Sequence, residues 1–433
     1  MGHCVGIRRE DKSIWERRVP LIPDHVPFLR ELGIDVVVQP SDTRVFKENE
    51  YLSSGATIAE DLSKCPVVFA VKEIPTPFFQ KGGTYVFFSH TIKGQPHNMP
   101  MLKRLMELGC NLIDYERVVD DHNRRLVFFG WHAGVAGMVE TLAAYGKRLA
   151  SEGIASPFQA LKQPVEYTSI HEAKTVLEVV RQWIETDGLP DEIVPLVVGV
   201  TGYGNVSKGA QEMLDILPVK EVPPSELKTL NSCSPGAKHT VFKVVFKEED
   251  IVVPKRRDDP FALQDYYDHP EKYEGIFEMY LPYLSVLVNC IFWTPRYPRL
   301  LTKEYLRTKW QGTNLRAVGD ISCDIDGSIE ATAKVTDPSN PTFVWDPATD
   351  KVVDGWEGGG PVIMAIDFLP AELPRDASVY FSNVLKEFVP AIALADYSVE
   401  FESLALPEPI KRALVLHRGK LTPDYRYLEK FLE

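Results

Sequence analysis

Cysteine is scarce in this chain. Six are scattered over 433 residues (Cys4, Cys65, Cys110, Cys233, Cys290 and Cys323), with no C-x-x-C and no paired spacing. Neither a disulfide framework nor a zinc site is therefore signalled, no metal is expected, and a reducing compartment fits best. Long apolar runs are missing as well: none approaches the ~20 residues of a membrane-spanning helix. The amino terminus lacks a signal-peptide pattern. A cytoplasmic protein without a membrane partner is the expectation. An excess of basic residues is also absent, since 48 Lys and Arg stand against 61 Asp and Glu for a net charge of -13. That balance argues against nucleic acid as a partner held by bulk charge, so an acidic ligand must be gripped by particular arginines and lysines. Repeats and low-complexity tracts are lacking too.

What is present is an ordinary globular composition, 44% hydrophobic and 25% charged, in a chain long enough for two or three domains with full cores. Residues 196–217 change from the period of a strand to that of a helix across a glycine turn. The apolar run 196–200 reads as a buried parallel strand; beyond the turn, Val206, Ala210, Met213, Leu214 and Leu217 mark one helical face. Gly202 and Gly204 stand where the backbone must turn tightly and admit a pyrophosphate to the helix N-H groups. Counting G-x-G-x-x-G from Gly202 lands on Ser207, with the next glycine at Gly209. The turn reads either as a plain connection or as a dinucleotide cradle, and its strand-to-helix context favours the cradle.

Strands at 4–7, 34–38, 67–71, 85–89 and 111–115 alternate with helices near 24–32 and 99–108, which predicts an α/β fold with parallel sheets covered on both faces. In such sheets ligands bind beyond the carboxyl ends of the strands. Charged or titratable residues gather there: Arg17 and Arg18 after the first strand, Lys72 and Glu73 after the third, then His90, Lys93 and Gln95. Each alone reads as a solvated loop charge, whereas their shared position points to a site. Arg124 and Arg125 read equally as a surface hairpin or a functional pair. A helix rich in small residues is expected at 133–152 and an amphipathic one at 170–183. Residues 226–282 are expected to be an insertion with local helices, further strands are expected at 284–291, 316–322 and 362–366, and the last part is expected to be helical and to fold back on the first domain.

Taken together, the motifs WERRVPLIP, AVKEIP, FFSHTIKGQ, RRLVFFGWHAG, TGYGNVSKGAQE, GDISCDIDGSIE and AIDFLPAELPRDAS resemble, in the same order, the lysine-2-oxoglutarate reductase region of alpha-aminoadipic semialdehyde synthases. More distantly they resemble saccharopine and alanine dehydrogenases. The resemblance implies two doubly wound, Rossmann-like domains with a cleft between them, residues 1–132 plus 367–433 forming the catalytic domain and 133–366 the dinucleotide-binding domain. It implies an oxidoreductase that condenses lysine with 2-oxoglutarate and reduces the imine to saccharopine. Lys72 and His90 would be its acid-base pair, and Arg18, Gln95, Arg125 and Phe129 its substrate pocket. Arg124, Gly202, Gly204, Asn205, Asp320, Ile366, Asp367, Phe368 and Leu369 would lie along the cofactor. Proton transfer at neutral pH suits a histidine and a partly desolvated lysine, and three carboxylates on saccharopine suit arginine.

For the cofactor, an acid is usually found ~20 residues past the glycines in NAD enzymes. Here Glu221 precedes the turn and Pro223 and Pro224 follow, which leans towards NADP(H) over NAD(H). Because the chain stops at Glu433, a single half reaction is expected. An alanine dehydrogenase or another imine-reducing amino-acid or opine dehydrogenase, and a catalytically silent nucleotide-binding protein, are the competing readings. A homo-oligomer is compatible with all of them.

Overall fold

In the computed structural model, which describes residues 3–234, 236–256, 258–311 and 313–432, the opening strand β1 (His3–Ile7) leaves Val5 and Ile7 with no solvent exposure. An apolar strand buried on both faces belongs in the middle of a parallel sheet. On one side β1 pairs in parallel with β2 (Ile34–Val38), which continues to the short β3 (Thr57–Ile58). On the other it pairs with β4 (Val67–Phe69), followed by β5 (Thr84–Phe87) and β6 (Asn111–Asp114), all parallel. The chain returns to this sheet near its end: Leu414–His417 lies antiparallel to β6, and Lys420–Leu421 completes the edge. The closing segment expected to be helical thus supplies two strands as well as helices, because Leu414 to Leu416 are fully buried and cover the apolar edge of β6.

A second eight-stranded sheet is built from β7 (Leu196–Thr201), β8 (Val219–Glu221) and β9 (Val241–Phe246), then, beyond the hairpin β10 (Val252–Pro254) and β11 (Tyr273–Gly275), from β12 (Val286–Asn289), β13 (Ala317–Asp320), β14 (Thr342–Asp346), β15 (Lys351–Asp354) and β16 (Val362–Met364). Its order is β15-β14-β16-β13-β12-β7-β9-β8, parallel except where β14 and β15 turn back at the edge. Each sheet heads one unit: Met1–Phe128 with Pro374–Glu433, and Phe129–Leu373. The sequence-based boundaries at 132/133 and 366/367 shift for a packing reason. The Gly130–Ser151 helix begins earlier than expected, and Leu369 and Leu373 join the core of the second unit.

Two expectations are corrected. Residues 226–282 are not an insertion outside the sheet, since β9 pairs with β7 over six residues. Lys243 breaks the apolar run VFKVVF and hides the strand, but its ammonium is satisfied by Asp215 at 2.7 Å and Glu221 at 3.0 Å. The cysteines are not all single: Cys4 on β1 and Cys65, just before β4, form a disulfide with Cα atoms 4.9 Å apart. Adjacency of β1 and β4 in the sheet places them together, which a separation of 61 residues concealed. Among the described residues no helix is long and apolar enough to cross a membrane.

The second unit also buries an acid pair. Glu140 and Glu372 are each 1% exposed, and Glu140 Oε2 and both Glu372 oxygens have no hydrogen-bond partner. Burial pushes Glu140 up to about 7, partly offset by Lys147. Burial and then the charge of Glu140 push Glu372 well above the usual carboxylate range. A carboxyl raised in the folded state holds its proton better there than in the unfolded chain. Stability is therefore fullest below the unfolded value of about 4.5 and declines as pH rises through the folded values. Glu372→Gln keeps the shape, removes the charge and lets an amide donate to Glu140. We expect its thermal midpoint to rise by about 5 °C at pH 8 and by much less at pH 5; equal shifts at both would show that ionisation is not the cause.

Candidate active site

At the carboxyl end of the first sheet, the loop after β1 and the ends of β4 and β5 converge. Glu10 accepts hydrogen bonds from the backbone N-H groups of Val71 (2.7 Å) and Lys72 (2.9 Å), tying the β1 loop to the end of β4. Burial pushes its carboxyl up to about 7. Lys72 is held below the ordinary lysine range, first by burial and then by the Arg18 guanidinium. His90 Nδ1 lies 2.8 Å from Glu73 Oε1, which also receives Lys12 Nζ at 2.6 Å. Burial works to raise Glu73, but the hydrogen bonds from His90 and Lys12 outweigh it and hold the acid far below the usual range. A carboxylate there orients the imidazole with Nδ1 as donor and leaves Nε2 for proton transfer. His90 adopts φ +47°, and its carbonyl accepts from Asn98 Nδ2 at 3.1 Å. A left-handed non-glycine residue at a strand end is strain of the kind found at functional positions.

Arg18 sits beside this group in a buried, two-pronged ion pair with Glu16, Nε to Oε1 at 2.8 Å and Nη2 to Oε2 at 2.6 Å. Removing one partner of a buried pair strands the other charge. Arg18→Ala should therefore cost ~3 to 5 kcal/mol in urea unfolding as well as any loss of substrate affinity, and Glu16→Gln in the same chain should restore most of that stability. An unchanged unfolding midpoint in the single variant would deny the pair its structural part. The neighbouring Arg17 is half-buried and lowered by burial alone, with no acid paired to it among the described residues.

The remaining residues expected in the substrate pocket are more dispersed. Arg125 is ion-paired with Glu116, and its backbone bridges Val119 in a small hairpin. Arg124, on the same hairpin, is 75% exposed and bonded to Asp120 at 2.7 Å. Gln95 accepts from the Lys93 backbone at 3.1 Å through its side chain, and no hydrogen bond joins it to Lys72 or His90 among the described residues. Phe129 caps the Gly130–Ser151 helix in the second unit and packs edge-on to His132. Glu10 and Glu16 were not placed in the site by the sequence reading, although Glu16 adjoins Arg17 in the chain and Glu10 meets the Lys72 backbone in space, while Glu73 was named beside Lys72 without a role.

In the second unit Gly202 follows β7 at φ +82°, and Gly204 precedes the Asn205–Leu214 helix. A Cβ at Gly204 would meet nothing within 4 Å. The turn therefore faces open space, as a phosphate cradle requires, and the exposed Asn205 begins the helix beside it. Gly202 and Gly204 line one wall of a cavity of about 460 Å³ that continues past Tyr203, Glu248 and Tyr267. Ser207, at the third fingerprint position, is buried and accepts from Gln211 at 2.9 Å. Asp320 is 1% exposed and accepts from Asn289 Nδ2 (2.8 Å) and Thr332 Oγ1 (2.6 Å), burial pushing it up to about 6. With Thr201 bonded to Asn289 at 3.0 Å, it locks the ends of β7, β12 and β13 from below rather than standing at the surface. Of the segment after β16, Ile366 and Leu369 are core, while Asp367 is exposed and Phe368 half-buried. The residues present thus fit a dinucleotide.

Two Rossmann-like sheets, one carrying a glycine cradle, define a dehydrogenase fold of the alanine dehydrogenase type: a solved L-alanine dehydrogenase superimposes with a TM-score of 0.61 at 17% identity, covering 99% of this chain and all of that one. Residues 6–136 match the family described as alanine dehydrogenase/PNT, N-terminal domain. Over 98% of its length the chain is 38% identical to the alpha-aminoadipic semialdehyde synthase of Arabidopsis thaliana, covering 41% of that protein. It is 34% identical over 99% of its length to the mitochondrial synthase of Rattus norvegicus, covering 48% of it. The chain thus spans a little under half the length of these relatives. A saccharopine dehydrogenase (NAD(+), L-lysine-forming) of Neurospora crassa is 27% identical, with 88% of this chain and 89% of that one covered. Over nearly its whole length the chain is thus homologous to part of the alpha-aminoadipic semialdehyde synthases, and it has the alanine dehydrogenase fold.

Proposed function

We propose that this chain is a nicotinamide-dependent oxidoreductase acting on a CH-NH bond, and that it joins L-lysine to 2-oxoglutarate through a reduced imine to give saccharopine. The observation that carries this reading is the cluster of Lys72, His90 and Glu73 beside the Arg18–Glu16 pair. A lysine whose pKa is lowered by burial gives up and regains its proton more readily than a solvated one, as carbonyl addition and water loss require. His90, oriented through Nδ1 by Glu73, would move a proton at Nε2. The guanidinium of Arg17, unmatched by an acid, and that of Arg18, already fixed in direction by Glu16, would receive substrate carboxylates. The dinucleotide, when bound, supplies the hydride.

The test follows NADH and NADPH oxidation with 2-oxoglutarate and lysine, ornithine or alanine as the amine. Lysine is expected to be turned over fastest. Faster turnover of pyruvate with ammonia would replace this reading by an alanine dehydrogenase, and no oxidation with any pair would leave a silent nucleotide-binding protein.

A further inference from the structure

We propose that the second unit selects NAD(H) over NADP(H), with Glu248 as the group that reads the adenosine ribose; this rests on the nicotinamide-dependent reading above. In a Rossmann unit the ribose of the bound dinucleotide falls at the carboxyl end of the strand beside the one that leads into the glycine turn, where an acid accepts its hydroxyls. In sequence, the strand after the glycine helix is β8, and the search for an acid ends there at Glu221. In space, the neighbour of β7 is β9, with β8 outside it. Glu221 is bound to Lys243 instead.

The carboxyl end of β9 is Phe246, and Glu248 stands two residues on, about 46 residues past Gly202 rather than the usual ~20. Glu248 lines the same cavity as Gly202 and Gly204. Tyr267 Oη donates to Glu248 Oε1 at 2.6 Å, which fixes the carboxylate in direction. A carboxylate is acceptor-only with about four lone-pair sites, so it can receive ribose hydroxyls beside the tyrosine. Among the described residues, neither lysine nor arginine lines this cavity. A 2'-phosphate would bring a charge near -2 against a fixed carboxylate, with no such cation among the described residues that line the cavity.

The experiment is a calorimetric titration of the full chain with NADH and with NADPH, without substrate. NADH is expected to bind on the order of 100-fold more tightly, the scale of one close like-charge contact. Glu248→Gln should weaken NADH by roughly 10-fold through lost charge-assisted hydrogen bonds and narrow the gap to NADPH, and Glu248→Arg should reverse the preference. Tyr267→Phe, which leaves the acid but frees its direction, should narrow the gap less and carries the test if a Glu248 variant fails to fold. NADPH binding as tightly as NADH, or a ratio untouched by Glu248→Gln, overturns the assignment while leaving the dehydrogenase reading intact. Binding of neither dinucleotide overturns both.

Discussion

Lys72→Met is expected to lower turnover by ~100- to 10,000-fold, the range of a positioned acid-base group, without lowering the thermal midpoint. The two halves of that expectation come from the same physics. Burial and Arg18 hold the Lys72 pKa below its ordinary value, so the folded state binds fewer protons than the unfolded chain, and stability rises with pH across the window between the two values. Below that window the ammonium is a burden on the folded state, and an uncharged methionine of similar length relieves it. A structural lysine would behave oppositely, losing stability and activity together.

His90→Asn is the companion variant. Asparagine accepts the left-handed backbone of residue 90 better than most residues, so the change isolates the imidazole from the strain. Turnover should fall by at least ~100-fold, with dinucleotide affinity nearly unchanged. Because Lys72 and His90 would act in one proton-transfer unit, the double variant should be little worse than the poorer single one. Retention of more than a tenth of wild-type turnover by either single variant removes that residue from the chemistry.

The parts of the fold that were legible in the sequence are those where one periodicity runs uninterrupted. Ile34–Val38 is a strand over the span its alternating apolar residues marked, and the change of period around Gly202 and Gly204 is the turn between β7 and the Asn205–Leu214 helix. β9 was missed because Lys243 sits in its middle, and a lysine inside a buried strand is intelligible only once Asp215 and Glu221 are seen to meet it in space. That single omission displaced the acid search from Glu248 to Glu221. Local order likewise concealed the part of each acidic residue in the strand-end cluster. RREDK and WERR give acids next to bases in sequence, but the pairing of Glu10 with the Val71 and Lys72 backbone depends on β1 and β4 being neighbours. Asp320 shows the converse: the resemblance suggested a cofactor ligand, whereas two buried side chains from other elements, Asn289 and Thr332, bond its carboxylate.

Gly134→Ala should unfold the second unit at markedly lower urea, by ~3 kcal/mol or more, although alanine is the better helix former by about 1 kcal/mol. The reason lies in the contact between the Gly130–Ser151 helix and the Asn205–Leu214 helix. A Cβ at Gly134 would lie 2.8 Å from the Val206 carbonyl carbon and 2.7 Å from the Ala210 backbone nitrogen. From the other side, a Cβ at Gly209 would lie 2.9 Å from the Trp131 carbonyl carbon and 3.0 Å from the Val135 nitrogen. Each glycine therefore seats the backbone of the opposite helix, and neither obstacle is a side chain that could swing away. Only glycine permits so close an approach, a close-packing part that the third glycine of the fingerprint ordinarily plays. Either alanine must push the Asn205–Leu214 helix outward, and the Gly202–Gly204 turn is continuous with its first residue. Gly209→Ala is accordingly expected to lose dinucleotide affinity along with stability, and Gly134→Ala to do the same from a helix that the cofactor is not expected to touch. A urea midpoint in Gly134→Ala equal to or above that of the unaltered chain would mean that propensity outweighs packing, and that the two helices are not in backbone contact.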